Sequence, residues 1–313
     1  MKVIVQIPCL NEEETLPLVF EKMPRKIKGV DKLEFQIIDD GCTDNTVSIA
    51  KKLGVKHFLV SSAPGKNRRW LGRAFKTGLD NALKEGADIL VNTDGDNQYP
   101  SEMIPELIQP IIDGRADIVI GDRQTQNIDE FSAFKKFLQK FGSFITKKMS
   151  GADVPDAVSG FRAYSAKAMR KINIITNYTY TVDTIMQAEK KGLDIEWVKI
   201  HVNKKTRESR LIKNIWTKVR KSGGTIIRMY TVYQPFRTFS IMSAVFLIIG
   251  AVLIGRYGYF YFIGKSEGHV QSIIVGGVSF VISVQLFALG ILADLMAVNR
   301  RLTEDVLERI KGK

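Results

Sequence analysis

The chain has 313 residues and a formal net charge of +13 at pH 7. That length suffices for one large domain or two smaller ones with a sizeable apolar core. The basic excess predicts an anionic partner, for which nucleic acid, a phosphorylated substrate and an acidic membrane surface all qualify. Two cysteines, Cys9 and Cys42, are too few for a disulfide framework or a zinc site and are typical of a reducing compartment. The acidic residues 12–14 after the first apolar run do not match a secretory signal peptide.

Short apolar runs alternate with segments of helical length over the first 235 residues. The runs are predicted strands at 3–8, 35–39, 57–60, 89–91 and 117–120. The segments between them that have helical length include 12–26, 43–53 and 69–85. This alternation predicts an α/β fold with a doubly wound, mostly parallel sheet.

Polar clusters follow three of the predicted strands. They are Asn11-Glu12, Asp39-Asp40-Gly41 and the stretch from Asp94 to Gln98. In doubly wound sheets, ligands bind beyond the carboxyl ends of the strands, so the three clusters predict one site. Two carboxylates with a neighbouring amide suit a hard divalent cation, although Asp, Asn and Gly are also ordinary turn residues. The residues after Asp94 do not match an EF-hand, and the chain has no P-loop or dinucleotide-binding glycine motif.

Two uncharged runs lie near the C-terminal end, at 239–255 and 270–293. The second is long enough for a bilayer core of about 30 Å at about 1.5 Å per residue, and the short polar loop 264–269 between the runs predicts a membrane hairpin. The aromatic cluster at 257–262 is expected at one membrane interface, and the alternative for the two runs is a pair of buried core helices. The basic residues at the outer ends predict that both ends lie in the cytoplasm: Arg237, Arg300, Arg301, Arg309, Lys311 and Lys313.

These patterns predict three regions. Residues 1–235 are the expected cytoplasmic domain, 236–298 the two-helix transmembrane hairpin, and 299–313 a basic cytoplasmic tail. Two basic, apolar stretches, at about 131–149 and 212–235, are predicted to lie as amphipathic helices on anionic membrane lipids. For the first of these, a core helix with a solvated lysine face is the alternative on periodicity alone.

Five ordered motifs resemble those of inverting glycosyltransferases, in the family that includes dolichyl-phosphate mannose synthases and bacterial polyprenyl-phosphate glycosyltransferases. They are Pro8-Cys9-Leu10-Asn11-Glu12, Asp39-Asp40-Gly41-Cys42-Thr43-Asp44-Asn45-Thr46, Asp94-Gly95-Asp96-Asn97-Gln98, Gly121-Asp122-Arg123 and Ser159-Gly160-Phe161-Arg162. The resemblance covers essentially the whole of the first 235 residues, and the hairpin resembles that of prokaryotic members. It implies a GT-A fold, a nucleotide-sugar donor, Mg²⁺ or Mn²⁺, and a polyprenyl phosphate acceptor.

The resemblance also implies roles for individual residues. Donor binding is expected of Pro8, Glu12, Asp39, Asp40, Asp94, Arg207 and Arg210. The metal is expected at Asp94, Asp96 and Gln98, and the acceptor at Arg123, Lys136, Ser143, Ser159 and Arg162. The expected catalytic residues are Asp96, Arg123, Asp156 and Asp183.

The chain departs from the family pattern at three positions. Leu10 stands where an aromatic residue is frequent, Cys42 where serine is frequent, and Asp183 where glutamate is common. The Q-x-x-R-W motif of processive polysaccharide synthases is missing after the metal motif. Transfer of a single sugar is therefore expected.

The expected function is metal-dependent transfer of one sugar to polyprenyl phosphate at the cytoplasmic membrane face. An ionised phosphate is already a nucleophile, so Asp156 or Asp183 is expected to orient the sugar or stabilise charge, and whether either is a base stays open. The alternatives are transfer to another lipid, such as diacylglycerol, and a non-catalytic tether that binds lipid phosphate. Nucleic-acid binding leaves the hairpin and the carboxylates unexplained. The motifs do not fix the sugar or the oligomeric state, and they are compatible with a homo-oligomer.

Overall fold

A computed structural model describes residues 1–63, 71–124, 155–174, 180–203, 231, 234–265 and 267–311. These residues belong to two compact units, one within residues 1–214 and the other within residues 215–310. The predicted amphipathic stretch 131–149 lies outside the described residues, and so does nearly all of 212–235. The predicted boundaries at 235 and 298 stay predictions.

The first unit contains a seven-stranded sheet with the strand order β3-β2-β1-β4-β6-β5-β7. Its strands are β1 (Lys2–Cys9), β2 (Lys32–Asp39), β3 (His57–Val60), β4 (Ile89–Asn92), β5 (Ile118–Asp122), β6 (Arg162–Ser165) and β7 (Ile195–Lys199). All neighbouring strands pair in parallel except β6, which runs antiparallel between β4 and β5. The prediction of a doubly wound, mostly parallel sheet is confirmed.

Helices connect the strands in the described part of this unit. They are α1 (Leu16–Glu21), α2 (Thr46–Lys52), α3 (Leu71–Lys84), α4 (Ile104–Ile112), α5 (Ala166–Lys171) and α6 (Thr181–Lys190). A short 3₁₀ turn at Ser101–Met103 precedes α4. Of the predicted helical segments, 12–26 and 43–53 contain α1 and α2, and 69–85 contains α3.

The sheet has an apolar core on each face. Val3, Val5 and Ile7 of β1 pack in the cluster that contains residues of α1, α2 and α4. Ile4, between them, packs in a second cluster with residues of α3, α5 and α6. Successive strand residues point to opposite faces, so β1 contributes to both cores. Complete burial of one such aliphatic side chain contributes about 1.5 to 3 kcal/mol to folding.

The strand directions bring the chain's motifs to one edge of the sheet. β1, β2, β4 and β5 are parallel, so the segments that follow them leave from the same edge. β6 runs the opposite way and begins at that edge, where Arg162 is the register partner of Asn92. The five motifs therefore lie at this edge, or lead away from it.

The second unit contains two long apolar helices, α7 (Pro235–Phe262) and α8 (Val270–Lys311). Candidate membrane spans are Pro235–Phe262 and Val270–Glu304, whose most apolar windows are only 11% and 22% buried. Core helices of a soluble domain would be buried, so the low burial supports the predicted hairpin over that alternative. At about 1.5 Å per residue, the 28 residues of α7 extend about 42 Å, more than a bilayer core of about 30 Å.

Small residues hold the two helices together. The Ser243 and Ser283 hydroxyls lie 3.0 Å apart, and each donates to the other residue's backbone carbonyl at 2.9 Å. At Gly276 an added Cβ would lie 3.2 Å from the Gly250 carbonyl oxygen. Close approach at small residues and hydroxyl bonds between helices is how membrane helices associate.

Candidate active site

The loops after β1 and β2 are bonded to each other. Asn11 has a φ of 58°, its Oδ1 accepts from the Thr43 backbone N–H at 2.8 Å, and its Nδ2 donates to the Thr43 hydroxyl at 3.2 Å. The Glu12 backbone N–H donates to the Thr46 hydroxyl at 2.8 Å. These bonds join the first two motifs, and Pro8 of the first motif is the partly buried penultimate residue of β1.

The Asp39-Asp40-Gly41 turn depends on its two carboxylates and its glycine. Asp39 Oδ1 accepts from the Gly41 and Cys42 backbone N–H groups at 2.9 and 2.7 Å, and Asp40 Oδ1 accepts from the Ser62 hydroxyl at 2.7 Å. Gly41 has a φ of +95°, and an added Cβ would lie 2.9 Å from the Ala63 carbonyl oxygen. Glycine is the residue that takes this conformation at little cost.

The segment from Asp94 to Gln98 forms a tight turn at the end of β4. Asp96 Oδ1 accepts from the Gln98 backbone N–H at 3.1 Å, and Asn97 has a φ of 59°. Gly95 packs so closely on the first motif that an added Cβ would lie 3.2 Å from Glu12 Cγ. The predicted metal loop and the predicted donor loop are therefore in direct contact.

The charges around Asp94 disfavour its ionisation. Burial, the Asp96 carboxylate and the Glu12 carboxylate raise the pKa of Asp94 to about 7, against the opposing effect of Arg123. A divalent cation would relieve this crowding of carboxylates, and oxygen ligands from two aspartates suit Mg²⁺ or Mn²⁺. Asp94, Asp96 and Gln98 are all partly exposed. These three oxygen ligands fit the predicted Mg²⁺ or Mn²⁺.

Arg123, just after β5, makes a bidentate ion pair with Asp156. Its Nε lies 2.7 Å from Asp156 Oδ2, and its Nη2 lies 2.9 Å from Asp156 Oδ1. The Arg123 side chain is 15% exposed and that of Asp156 is 5% exposed. Two predicted catalytic residues are thus brought together, in a planar geometry that fixes the direction of the remaining guanidinium N–H groups.

Arg162 has a different environment from the one predicted for an acceptor-binding residue. It is fully buried, and its guanidinium donates to the carbonyls of Ala157, Ser159 and Thr181 and to the Thr184 hydroxyl at 2.7 to 2.8 Å. A guanidinium bonded in this way holds the chain around it, and the geometry does not match direct contact with an acceptor. Ser159, in the same motif, is also fully buried.

Asp183 lies in the first turn of α6 and is fully buried. Its Oδ1 accepts from Gln187 Nε2 at 3.0 Å, one helical turn later. The remaining predicted site residues, Lys136, Ser143, Arg207 and Arg210, lie outside the described residues.

Asn203, which the sequence did not single out, is bonded to the metal loop. Its backbone N–H donates to the Gln98 carbonyl at 3.1 Å, and its Nδ2 donates to the carbonyls of Asn97 and Tyr99 at 3.1 and 3.4 Å. Asn203 follows β7 and belongs to no recognisable motif, so its contact with the metal loop could not be predicted from the sequence.

Tyr99 is a second residue that sequence reasoning missed. Its ring stacks on Phe161 with the centroids 5.4 Å apart, and its hydroxyl accepts from the Gly160 backbone N–H at 2.8 Å. Burial is the largest of the effects that raise the pKa of Tyr99 from its ordinary value of about 10 to about 12. The phenol is neutral at physiological pH in either case. The signal for Tyr99 was its position directly after the metal motif.

Comparison with known proteins identifies the fold and the family. Residues 4–172 match the family model described as Glycosyl transferase family 2. The chain is 28% identical over 218 residues to the undecaprenyl-phosphate mannosyltransferase of Micrococcus luteus, covering 67% of this chain and 88% of that protein. It is 31% identical over 212 residues to the UDP-N-acetylglucosamine–dolichyl-phosphate N-acetylglucosaminyltransferase of Methanococcus voltae, covering 62% of this chain and 82% of that protein.

A solved structure shares the fold. The chain superposes with a TM-score of 0.56 on the Mycobacterium tuberculosis glucosyl-3-phosphoglycerate synthase in complex with Mn²⁺, UDP-glucose and phosphoglyceric acid. The two are 20% identical, and the match covers 74% of this chain and 79% of the other. The predicted GT-A fold is confirmed.

The family model covers more than half of the chain, and the relatives are glycosyltransferases that act on lipid phosphates. The chain therefore belongs to glycosyl transferase family 2 and is a glycosyltransferase that is similar in sequence to polyprenyl-phosphate mannosyltransferases.

Proposed function

We propose that this enzyme transfers one sugar, with inversion, from a nucleotide-diphosphate sugar to polyprenyl phosphate at the cytoplasmic face of the membrane. The observation that carries the proposal is the convergence of three features at one sheet edge. These are the two bonded donor loops, the carboxylate loop at Asp94–Gln98, and the Arg123–Asp156 pair. The two candidate membrane spans in the same chain suit a substrate that stays in the bilayer.

Asp94, Asp96 and Gln98 are the proposed holders of Mg²⁺ or Mn²⁺. The M. tuberculosis enzyme with the same fold was solved with Mn²⁺ and UDP-glucose, which supports a metal and a nucleotide sugar here. When bound, the ion would neutralise charge on the leaving diphosphate. Pro8, Glu12, Asp39 and Asp40 line the proposed nucleoside side of the site.

Arg123 is the proposed anchor of the acceptor phosphate. Asp156 engages Nε and Nη2 of Arg123, so the Nη1 edge is the one offered to a substrate. A phosphate monoester with a second pKa of about 6 is largely dianionic at pH 7. Two unit charges about 4 Å apart interact by about 4 kcal/mol at an effective dielectric of 20, so a phosphate that approaches the donor needs cations beside it.

Further substrate contacts are proposed for residues outside the described structure, three of which are cations. Lys136 and Ser143 would join Arg123 at the acceptor, and Arg207 and Arg210 would help to hold the phosphates. Arg207 follows Asn203 by four residues, which limits its Cα to about 14 Å from that of Asn203 even in a fully extended chain. Asn203 is bonded to the metal loop, which supports a donor-side role for Arg207.

No carboxylate base is needed in this mechanism, because an ionised phosphate already carries the attacking lone pair. Asp156 orients Arg123, and Asp183 is buried and bonded to Gln187, which suits a role in orientation. We assign Arg162 a supporting role, because its guanidinium is fully buried among protein oxygens. Ser159, in the same motif, is equally buried, so we assign it a supporting role as well.

The test is a transfer assay with purified full-length protein in detergent. Polyprenyl phosphate, Mn²⁺ or Mg²⁺ and a panel of radiolabelled nucleotide sugars are supplied, and label in the organic phase is counted. One donor is expected to label the lipid in a metal-dependent way, and Asp96→Ala and a chelator are each expected to abolish the labelling. The panel includes GDP-mannose and UDP-N-acetylglucosamine, because relatives that use mannose and N-acetylglucosamine are similarly distant. Label that enters diacylglycerol and not polyprenyl phosphate would overturn the acceptor assignment.

A further inference from the structure

Four polar side chains cross the middle of the sheet in one row. Gln36 on β2, Gln6 on β1, Asn92 on β4 and Arg162 on β6 occupy matching register positions on adjacent strands. All four are 0% exposed. Side chains at matching positions share a face of the sheet. Gln36 and Gln6 lie against Gly78 of α3, and Arg162 is bonded to Thr181 and Thr184 of α6. We call these four residues the polar row.

The amides of the polar row are bonded in one direction. From α3, Asn81 Nδ2 donates to Gln36 Oε1 at 2.9 Å. Gln36 Nε2 donates to Gln6 Oε1 at 3.2 Å and to the Gly78 carbonyl at 2.8 Å, and Gln6 Nε2 donates to Asn92 Oδ1 at 2.8 Å. Each amide accepts through oxygen and donates through nitrogen, which directs the Asn92 Nδ2 group away from Gln6.

The Asn92 amide nitrogen is hydrogen-bonded to the loop that precedes β6. It donates to the Gly160 carbonyl and to the Tyr180 hydroxyl, both at 2.8 Å. The Gly160 N–H is bonded to the Tyr99 hydroxyl at 2.8 Å, so the residue is held through both its backbone groups. The Tyr180 ring is itself fixed by stacking on Phe75, with the centroids 4.0 Å apart.

Arg162, at the other end of the polar row, holds the same loop. Its Nη2 donates to the Ala157 carbonyl at 2.8 Å and its Nε to the Ser159 carbonyl at 2.7 Å. The loop begins at Asp156, the partner of Arg123. The polar row therefore fixes the backbone that carries the partner of the proposed acceptor anchor.

The same loop lies against the carboxylate of the metal loop. An added Cβ at Gly160 would lie 3.5 Å from both carboxylate oxygens of Asp94. Asn92 precedes Asp94 by two residues and binds Gly160 directly. The Asn92 side chain thus connects the end of β4, which leads into the loop of proposed metal ligands, with the loop that carries Asp156.

We propose that Asn92 is a positioning residue for sugar transfer, which sets the separation between the Asp94 loop and the Arg123–Asp156 pair through its bond to Gly160. Gln6 and Gln36 fix the orientation of its amide. Stability alone does not explain the polar row. Replacing buried polar pairs by well-packed apolar side chains of similar shape often leaves the stability of the fold unchanged or increases it. The inference rests on the proposed function, since the separation matters only if donor and acceptor meet at this edge.

The experiment compares Asn92→Ala with Asn81→Ala in the full-length protein. Asn81→Ala is a matched control, because it removes the same amide at the far end of the same hydrogen-bond chain. The first readout is hydrogen exchange in peptides that cover residues 156–162, and the second is steady-state transfer with KM and kcat resolved for the donor. Both are normalised to the folded fraction.

Asn92→Ala leaves the Gly160 carbonyl with the longer bond from the Tyr180 hydroxyl, at 3.2 Å. It is expected to raise the exchange rate of this loop about tenfold or more, since backbone that is held by fewer bonds opens locally. It is expected to lower kcat about 10- to 100-fold, the scale that follows from small misplacements of reacting groups. The donor KM is expected to stay within about twofold of the wild-type value. The Asn92 amide nitrogen binds Gly160 and Tyr180, and not the donor loops after β1 and β2. Asn81→Ala is expected to resemble the wild type in both readouts.

Tyr99→Phe keeps the test decisive if Asn92→Ala does not fold. It removes the hydroxyl that accepts from the Gly160 N–H and keeps the ring that stacks on Phe161. The expected result is the same separation of kcat from donor KM, with a smaller loss of kcat of about threefold to tenfold, typical of one hydrogen bond.

Three outcomes would overturn the proposal. They are loop exchange that matches the wild type in the Asn92 and Tyr99 variants, faster exchange with unchanged kcat, and an equal loss of kcat in Asn81→Ala. A wild-type protein that labels no polyprenyl phosphate would instead overturn the proposed function. In that case the exchange measurement still decides separately whether Asn92 anchors the loop.

Discussion

At the scale of single residues, carboxylates in this chain have different roles because their surroundings differ. Asp94 lies among other carboxylates, and its raised pKa marks a place where positive charge would be stabilised. Asp156 lies against a guanidinium and serves to orient it. Glu34, on β2 and five residues before the Asp39 motif, is surrounded by basic groups, and we expect it to affect stability.

Glu34 on β2 is expected to stabilise the fold at neutral pH. Burial opposes its ionisation, but hydrogen bonds from His57, Lys56 and Lys2 outweigh that effect and lower its pKa to about 2. A carboxylate with a lowered folded-state pKa contributes stability above its unfolded-state pKa of about 4.3 and loses it as pH falls towards 2. After discounting for solvent screening, Glu34→Gln is expected to cost about 1 to 2 kcal/mol at pH 7.

The measurement is the melting temperature of Glu34→Gln and wild type between pH 7 and pH 2.5. The difference is expected to be largest at pH 7 and to shrink below about pH 4.3. Asp80→Asn is the control, because the Asp80 carboxylate is 42% exposed and pairs with Lys76 one helical turn away. A difference for Glu34→Gln that stays constant across this range would contradict the assignment.

Arg123→Lys tests the bidentate pair with Asp156. A lysine ammonium retains the charge but cannot bond both Asp156 oxygens in the planar geometry of a guanidinium. We expect kcat/KM for polyprenyl phosphate to fall about tenfold to 1,000-fold, with donor KM changed by less than about threefold. Initial rates at varied acceptor and donor concentrations measure both, and an equal loss for both substrates would argue against an acceptor role.

The sequence predicted which residues meet at the sheet edge better than it predicted what each one contacts. The motifs at Asp39 and Asp94 follow apolar runs that are predicted parallel strands, so the predicted sheet already places both motifs at the same edge. The family resemblance implied acceptor binding by Arg162, yet tertiary packing encloses its side chain completely. Asn92 and Gln6 carry no motif, and their bond follows only from the register of β1 and β4.

At the scale of elements, β6 and β7 are the two strands that the sequence did not predict, and β6 is the one that affects the site. It has only four residues, Arg162–Ser165, and begins with arginine, so no apolar run marks it. Pairing with β4 and β5 on both sides makes it a central strand. Its antiparallel direction brings the Ser159–Arg162 motif to the edge where the other motifs lie.

Adjacent glycines in α8 provide an element-scale prediction for the membrane hairpin. At Gly276 an added Cβ would lie 2.8 Å from Ile254 Cγ1 and 3.2 Å from the Gly250 carbonyl oxygen, whereas at Gly277 nothing lies within 4 Å. Gly276→Val is therefore expected to force α7 and α8 apart and to lower the melting temperature in detergent by several degrees, as overpacking of about 1 to 3 kcal/mol implies.

Gly277→Val is the matched control, because it adds the same side chain to the same helix one residue away. It is expected to leave the melting temperature within about a degree of wild type, in the range of a substitution on an open surface. Equal shifts in the two variants would show that helix propensity, and not contact between the helices, determines the result.

At the scale of the whole molecule, the hairpin determines how the chain is expected to cross the membrane. Two antiparallel spans place both outer ends on one side and the connecting loop on the other. The basic residues at the outer ends predict that this side is the cytoplasm, where nucleotide sugars are supplied.

Cysteine labelling in intact cells tests this topology. Cys9 and Cys42 are buried, so both give little background. A membrane-impermeant maleimide is expected to label Lys265→Cys in the loop from outside, and to label Ile310→Cys in α8 only after the cells are permeabilised. Labelling of Ile310→Cys in intact cells would contradict the proposed orientation.

The most direct measurement of the proposed reaction is the mass of its lipid product. Wild-type enzyme, the donor that labels lipid and polyprenyl phosphate are incubated with Mn²⁺, and the organic phase is analysed by mass spectrometry. The predicted product is the acceptor plus one glycosyl residue, attached through a phosphodiester that mild acid cleaves, and absent with Asp96→Ala. A product with several sugars, or a sugar attached to a neutral lipid hydroxyl, would contradict single transfer to polyprenyl phosphate.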